Sequence, residues 1–394
     1  MATKALKLGL IGLGQRARQV LGEQLLHHPL AAVHALCDRD PERLAAVRGG
    51  FPVERRPLGC ATVNELLDTG IDLLLVFTMW DSHIDLCLRS MRRGIPVACE
   101  VGAAHSLEEL DELVRVQRET GVPLHYLENC CYGSDALLLL RLVREGVLGS
   151  VVHAEGLYIN DGRRLYAGEV SAMGGNRAFR RRNADLYPTH VLGPLAMILG
   201  VNRGNRILTV SSFASKSRGL DRYLADRGIP DSGSYDGGVQ LGDHVSTVLQ
   251  LSGGETVLLQ SSMTLPGDYE CRLGLRGSLG AVDLRSRLFY DAREGRSMAV
   301  DEPAWRAARE HALWRDRERR AGDFRPIDGM LFDRVLRLVA AGLEPDIDVR
   351  DMATWRAVTV LSERSIAAGG APQAMPDYTR GAWMARPPWD PEPL

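Results

Sequence analysis

Charge of one sign is missing from this chain. Its 48 Lys and Arg residues against 50 Asp and Glu leave a formal net charge of -2 over 394 residues. Such a balance gives no overall attraction to nucleic acid or to an anionic membrane, so any anion site must be local. Cysteine is sparse. The seven, at 37, 60, 87, 99, 130, 131 and 271, are odd in number and contain no C-x-x-C spacing. That argues against a disulfide framework or a metal site and for reduced, mostly buried thiols. No apolar run is long enough to span a membrane, and glycine interrupts the opening MATKALKLGLI too early for a signal peptide. Internal repeats are also absent. A soluble, cytoplasmic protein is expected, with the length of two domains that each bury a core.

What is present begins with LKLGLIGLGQRARQVLGEQLL, an apolar strand, then Gly12-x-Gly14-x-x-Ala17, then an amphipathic helix. In that context Gly12 permits a tight turn, Gly14 lets backbone approach a pyrophosphate, and Ala17 lets the helix lie close to a sheet. Gln15 and Arg16 open the helix, whose first N–H groups face the phosphates. A second strand, AAVHALCD, ends on Asp38, about where an acid accepts from a ribose 2′-OH. An acid there repels a 2′-phosphate, which favours NAD over NADP. Strands and helices then alternate as far as VPLHYLE, the pattern of a doubly wound parallel sheet. FTMWDSH leaves the fourth strand at its carboxyl end, where such sheets bind ligands. Trp80 and His83 are therefore candidates to flank the cofactor, the alternatives being a packing aromatic and a solvated histidine.

After Glu128 the pattern changes to strands joined by glycine-bearing turns, such as HVSTVLQLSGGETVLLQSSMTL. Hairpins build an antiparallel sheet, so an α+β domain with an open, mainly antiparallel sheet is expected to follow the Rossmann domain. The boundaries read as 1–127 for the cofactor domain, 128–370 for the substrate domain and 371–394 for an irregular tail. Helices are expected at 328–345 and 351–367, and the Arg- and Glu-dense 305–325 reads as a solvated helix face. NADLYPTHVLGP places Tyr187 and His190 three apart at a helix start. Taken alone they are either a reactive pair or a packed helix end. Arg180, Arg181 and Arg182 precede them, and one arginine could clamp an anionic substrate group if it is not simply solvated. Arg163, Arg180 and Asn183 are the expected substrate contacts.

A Rossmann domain followed by an open antiparallel sheet resembles the glucose-fructose oxidoreductase / inositol dehydrogenase superfamily. Most of that superfamily carries Glu-Lys-Pro at the end of the fifth strand, where this chain reads Glu100-Val101-Gly102. The catalytic lysine of an ordinary member is missing, while Glu100 remains a candidate cofactor contact. The blocks TMWDSH, EVGAA, LENCCYG, GLYIND, NADLYPTHVLGP, VNRGNR and MPDYTRGAW look instead like glycoside hydrolase family 109, whose NAD-dependent members release α-N-acetylgalactosamine. The resemblance implies Glu128, Tyr158, Tyr187 and His190 as the catalytic group. It implies a redox-neutral reaction: transient oxidation at C3, loss of the C2 proton, departure of the aglycone, addition of water and re-reduction. The chain departs from the family pattern at Asn160, Gly102, Val191, the NAD of 183–185 and PIDGM, positions expected to surround the substrate. An N-acetylated or an anionic, for example sulfonated, sugar is open.

Two other readings compete. A sugar or cyclitol dehydrogenase or epimerase would keep the fold and release NADH, but the missing lysine counts against it. A non-catalytic NAD-binding sensor would keep the turn, but the intact YPTH block counts against that. A small-molecule glycoside is the expected partner, with no nucleic acid and no membrane. An open sheet face makes a homo-oligomer the default expectation.

Overall fold

The computed structural model describes residues 4–169, 180–229, 239–315 and 326–391. Two compact units emerge, one of residues 1–129, 312–353 and 391–394 and the other of residues 130–311 and 354–390.

Among the described residues, the first unit is built on a six-stranded, wholly parallel sheet of order β3-β2-β1-β4-β5-β6. Its strands are β1 (Leu6–Ile11), β2 (Ala31–Cys37), β3 (Leu58–Cys60), β4 (Leu73–Val76), β5 (Val97–Cys99) and β6 (Leu124–Tyr126). The order reverses between β1 and β4, which opens a crevice at the carboxyl ends of those strands. Leu8, Leu10, Leu73, Leu74 and Leu75 have no exposed surface. Helices cover both faces of a parallel sheet, and this is why the strands read as continuous apolar runs rather than alternating ones. The helix Leu107–Thr120 starts in a reciprocal Ser106–Glu109 capping box and stops at Gly121, whose φ of 68° no side-chain-bearing residue adopts readily.

The second unit carries, among the described residues, a nine-stranded sheet of order β14-β13-β12-β11-β7-β10-β9-β8-β15. The strands are β7 (Val151–Ile159), β8 (Ile207–Ala214), β9 (Val245–Leu251), β10 (Thr256–Ser262), β11 (Glu270–Gly277), β12 (Gly280–Asp283), β13 (Leu288–Asp291), β14 (Arg296–Ala299) and β15 (Gln373–Ala374). Every pairing is antiparallel except β7 with β10. Along β7, Ala154, Gly156 and Tyr158 are buried and Glu155 is exposed, the period-two pattern of a sheet with one covered face. The helix Thr189–Ile198 packs on that covered face. A Cβ on Gly156 would fall 2.7 Å from the Cβ of Val191, so glycine in the strand is what admits valine in the helix.

Three local readings change. The expected helices at 328–345 and 351–367 run instead over Pro326–Ala341 and Val349–Ala367, and the first stops before Gly342, whose φ is 65°. The 305–325 stretch is not simply a solvated face. Trp305 stacks on Phe289 with ring centroids 5.5 Å apart, Arg309 lies over Trp305, and Arg306 pairs with Asp135 at 2.8 Å. Its continuation from 316 to 325 lies outside the described residues. Beyond residue 371, Gln373 and Ala374 extend the sheet as β15, and Trp389 meets Tyr132 edge-on at 5.8 Å.

Candidate active site

In the first unit the chain leaves β1 through Gly12, with φ of 84°. A Cβ at that position would meet the backbone of Phe77 and Thr78 at 2.8–2.9 Å, so only glycine fits the turn. Around Gly14 the space beside the backbone is open, with no atom within 4 Å of where a Cβ would point. That clearance is what a close-lying pyrophosphate needs. Gln15, exposed, begins the helix Gln15–Val20, and Ala17 is buried beneath it. Asp38, at the end of β2 and 6% exposed, accepts the N–H of Leu13 at 2.6 Å and of Asp40 at 2.9 Å. Its carboxylate therefore braces the glycine turn while keeping lone pairs for a ribose hydroxyl. These residues fit a dinucleotide.

Arg16 and Glu100 are brought together. The Arg16 Nε donates to Glu100 at 2.7 Å, and its two terminal nitrogens make a fork to Asp328 at 2.6 and 3.0 Å. Asn129 donates to the same Asp328 at 2.7 Å, and Asp328 is 1% exposed. Burial alone would lower the Arg16 pKa, but Glu100 and Asp328 hold it well above the ordinary range. The guanidinium is a fixed cation at the start of the helix after the glycine turn. Asp328 and Asn129 were missed by sequence reasoning; the one signal was the altered PIDGM block.

Trp80 and His83 follow β4. Trp80 is half-buried, and a Cβ on Gly102 would lie 2.6 Å from its Cδ1 and 2.8 Å from its Cγ. His83 is not solvated: it has no exposed surface and its Nε2 donates to the Thr78 carbonyl at 2.9 Å. Its ring closes the β4 loop as the helix His83–Arg92 begins. Gly102→Ala is expected to displace the Trp80 ring and to cost about 1–3 kcal/mol, the usual penalty of overpacking. Calorimetry and indole fluorescence check this, and an unchanged melting temperature and spectrum would contradict it. Glu128 also belongs to this unit, fully buried just beyond β6.

In the second unit Tyr158, Tyr187 and His190 converge. Tyr158 lies on the covered face of β7, its register neighbours being Ser261 on β10 and Cys271 on β11. Pro188 then turns the chain into the helix Thr189–Ile198, so Tyr187 and His190 project together. The Tyr187 hydroxyl is 3.2 Å from the His190 Nε2, with the rings edge-on at 4.7 Å. Tyr158 sits 5.4 Å from each ring centroid. A fourth ring, Tyr269, meets Tyr158 edge-on at 5.8 Å. Desolvation, then the neighbouring Cys271, Cys130 and Tyr158, push its pKa up, although the residue as a whole is 60% exposed. Sequence reasoning missed Tyr269, which stands in the LPGDYE turn without any pattern to mark it.

The expected substrate contacts make bonds within their own unit. Arg163 pairs with Asp161 at 2.6 Å and lies over the Tyr223 ring at 5.1 Å. Arg180 is 2% exposed rather than solvated, in a loop whose carbonyl accepts the N–H groups of Gln240 and Leu241. Arg181 is exposed, and Arg182 bonds Glu363. The Asn183 side chain accepts the Gly242 N–H at 3.1 Å. None of the seven cysteines is in a disulfide; Cys130 and Cys271 are half-buried and the other five buried.

Comparison with known proteins divides the chain in the same two styles. Residues 6–127 match the oxidoreductase family with an NAD-binding Rossmann fold, and residues 132–385 match the C-terminal domain of glycosyl hydrolase 109. A glycosyl hydrolase family 109 protein of Stenotrophomonas maltophilia is 32% identical over 416 aligned residues, covering 98% of this chain and 91% of the relative. An alpha-N-acetylgalactosaminidase of Tannerella forsythia is 32% identical over 342, covering 80% and 73%. Among solved structures, the WlbA dehydrogenase of Bordetella pertussis with NADH and UDP-GlcNAcA superposes at a TM-score of 0.71, with 16% identity and coverage of 95% and 99%. An oxidoreductase of Agrobacterium radiobacter with NAD+, L-tartaric acid and magnesium does so at 0.68, with 18% identity and coverage of 96% and 99%. Those two likenesses speak to the fold alone. The cofactor of the first unit is NAD.

Proposed function

Because this chain belongs to glycosyl hydrolase family 109, we propose that it is a redox-neutral, NAD-dependent glycosidase. The observation that carries the reading is the convergence of Tyr158, Tyr187 and His190 in one cluster, in a chain whose fifth strand runs into Glu100-Val101-Gly102 without a lysine. Residues 1–127 are assigned to the cofactor, 128–370 to the sugar and 371–394 to a tail, although 128–129 and 312–353 pack with the first unit and 371–390 with the second. The substrate class is a glycoside with a free C3 hydroxyl, N-acetylated as in the relative from Tannerella forsythia or anionic. No helix among the described residues is long and apolar enough to cross a membrane, and the reaction is assigned to the cytoplasm. A homo-oligomer is the proposed assembly.

NAD, held by the Gly12–Gly14 turn and Asp38, would supply reversible hydride removal at the sugar C3. His190 takes the proton of the C3 hydroxyl, and Tyr187, bonded to its Nε2, fixes the imidazole in that orientation. With C3 at the carbonyl level the C2 proton becomes acidic, and Tyr158 is assigned to remove it as a phenolate, having first released its own proton to solvent, a state that requires nearby positive charge such as the cofactor's ring. Glu128 protonates the departing oxygen and later positions water for addition; base and acid are assigned to Tyr158 and Glu128 in that order. Arg163, Arg180 and Asn183 are the side chains assigned to orient the sugar, and Trp80, His83 and Glu100 those assigned to the cofactor. Tests should incubate a panel of α-N-acetylgalactosaminides and anionic glycosides with substoichiometric NAD. Sugar release that requires NAD and accumulates no NADH is expected. Stoichiometric NADH with the glycosidic bond intact would make the protein a dehydrogenase, and tight NAD binding without turnover would make it a sensor.

A further inference from the structure

Asp185 is 1% exposed, two residues before Tyr187. One carboxylate oxygen accepts the Ser261 hydroxyl of β10 at 2.9 Å and the other accepts the Thr247 hydroxyl of β9 at 3.4 Å. Thr247 in turn accepts the Ser212 hydroxyl of β8 at 2.9 Å, so the carboxylate gathers hydroxyls from three strands, directly from β9 and β10 and through Thr247 from β8. It also accepts the backbone N–H of Tyr187 itself. Its own N–H donates to Ser362 at 2.9 Å, on the helix Val349–Ala367. Ser261 is the register partner of Tyr158. One side chain therefore joins the strand row that carries Tyr158 to the segment that carries Tyr187 and leads into the helix of His190.

We infer that Asp185 is a positioning residue for the Tyr158–Tyr187–His190 cluster, its carboxylate fixing the Tyr187 peptide against the strand row beside Tyr158. The inference rests on the proposed glycosidase reading for its kinetic consequence, but not for its geometry. A carboxylate is suited to this place because it has acceptor sites only, and three donors converge on it. An amide in its place keeps one accepting oxygen and turns two N–H donors toward groups that already donate. The groups facing Asp185 from β9, β10 and the Val349–Ala367 helix are neutral hydroxyls. The titratable neighbour is Tyr166, on the helix Arg163–Ala167, whose buried phenol stays protonated. Burial pushes Asp185 up to about 6, against the pull of Ser261, Tyr187 and Thr247. The sign follows: above about pH 6 the carboxylate holds all its donors, and as pH falls through 6 it takes a proton and must donate where it had accepted.

The test uses the full chain with NAD bound and the variants Asp185→Ala and Asp185→Asn. Two readouts are followed from pH 5 to 8: the hydrogen-exchange protection of the Tyr187 amide, and kcat and KM on a turned-over glycoside. In the native chain, protection and kcat should both fall as pH drops through about 6. Asp185→Ala should lower kcat roughly 10- to 100-fold with KM changed less than about threefold, the cost of a small misplacement of a catalytic group. It should also lose Tyr187 protection at every pH. In Asp185→Asn the pH dependence of protection should flatten. Native protection and an unaltered pH profile in a folded Asp185→Ala would overturn the inference. If that variant does not fold, a pH dependence retained in Asp185→Asn overturns it equally. Should the native chain turn over no glycoside, the glycosidase reading fails by itself, and amide exchange still decides the role of Asp185.

Discussion

His190→Ala is expected to lower glycoside turnover by roughly 10²- to 10⁴-fold, the range a positioned proton-transfer group contributes. Tyr187→Phe should cost less, about 5- to 150-fold, equivalent to the ~1–3 kcal/mol of one lost hydrogen bond to a group that must keep its orientation. The difference has a structural source. His190 carries the proton in the proposed reaction, whereas the Tyr187 hydroxyl, 3.2 Å from its Nε2, sets the direction of the ring. NAD affinity should change by less than about twofold in both variants, since the glycine turn, Asp38 and the Arg16 network all lie in the other unit. Steady-state kinetics and a fluorescence titration with NADH check the pair of statements. Two variants with native kcat would remove the cluster from the mechanism.

Asp328→Ala is expected to destabilise the first unit by about 3–5 kcal/mol, as when one partner of a buried ion pair is deleted. Asp328 is 1% exposed and satisfies both terminal nitrogens of Arg16 and the amide of Asn129. Removing it leaves a guanidinium, only about a quarter exposed (28%), with Glu100 as its remaining ion-pair partner, and leaves the Asn129 donor unmatched. Because Arg16 stands two residues after Gly14, NAD affinity should fall as well. Asp328→Asn keeps one acceptor for Arg16 and should recover part of the loss. Denaturant unfolding with and without NAD measures both effects, and a loss under about 1 kcal/mol would show that the network is idle.

Much of this was legible before any coordinates. The parallel sheet was readable because buried strands are apolar on both faces and the glycine turn has one workable geometry, with φ at 84° for Gly12. The open sheet was readable from hairpin glycines, although the sequence carries no mark of the parallel pairing between β7 and β10. Tyr187 and His190 share a helix start, so their proximity follows from spacing. What stayed hidden is long-range. Asp328 meets Arg16 across 312 residues, and Asp185 meets Ser261 across 76. Pairings of this kind depend on tertiary packing, which leaves no period in the sequence. The solvated alternative for Arg180 and His83 falls for the same reason: arginine and histidine are usually exposed, and only the packed fold reveals an exception.

The proposed reaction requires that the sugar C2 proton be lost during cleavage. A glycoside that the enzyme turns over should be cleaved in deuterated water with substoichiometric NAD and the released sugar examined by NMR. One deuterium at C2 of every released sugar, with no deuterium at C3 and no accumulated NADH, is the predicted result. Released sugar that retains protium at C2 would contradict the proposed role of Tyr158 and the elimination that the Tyr187–His190 cluster is assigned to support.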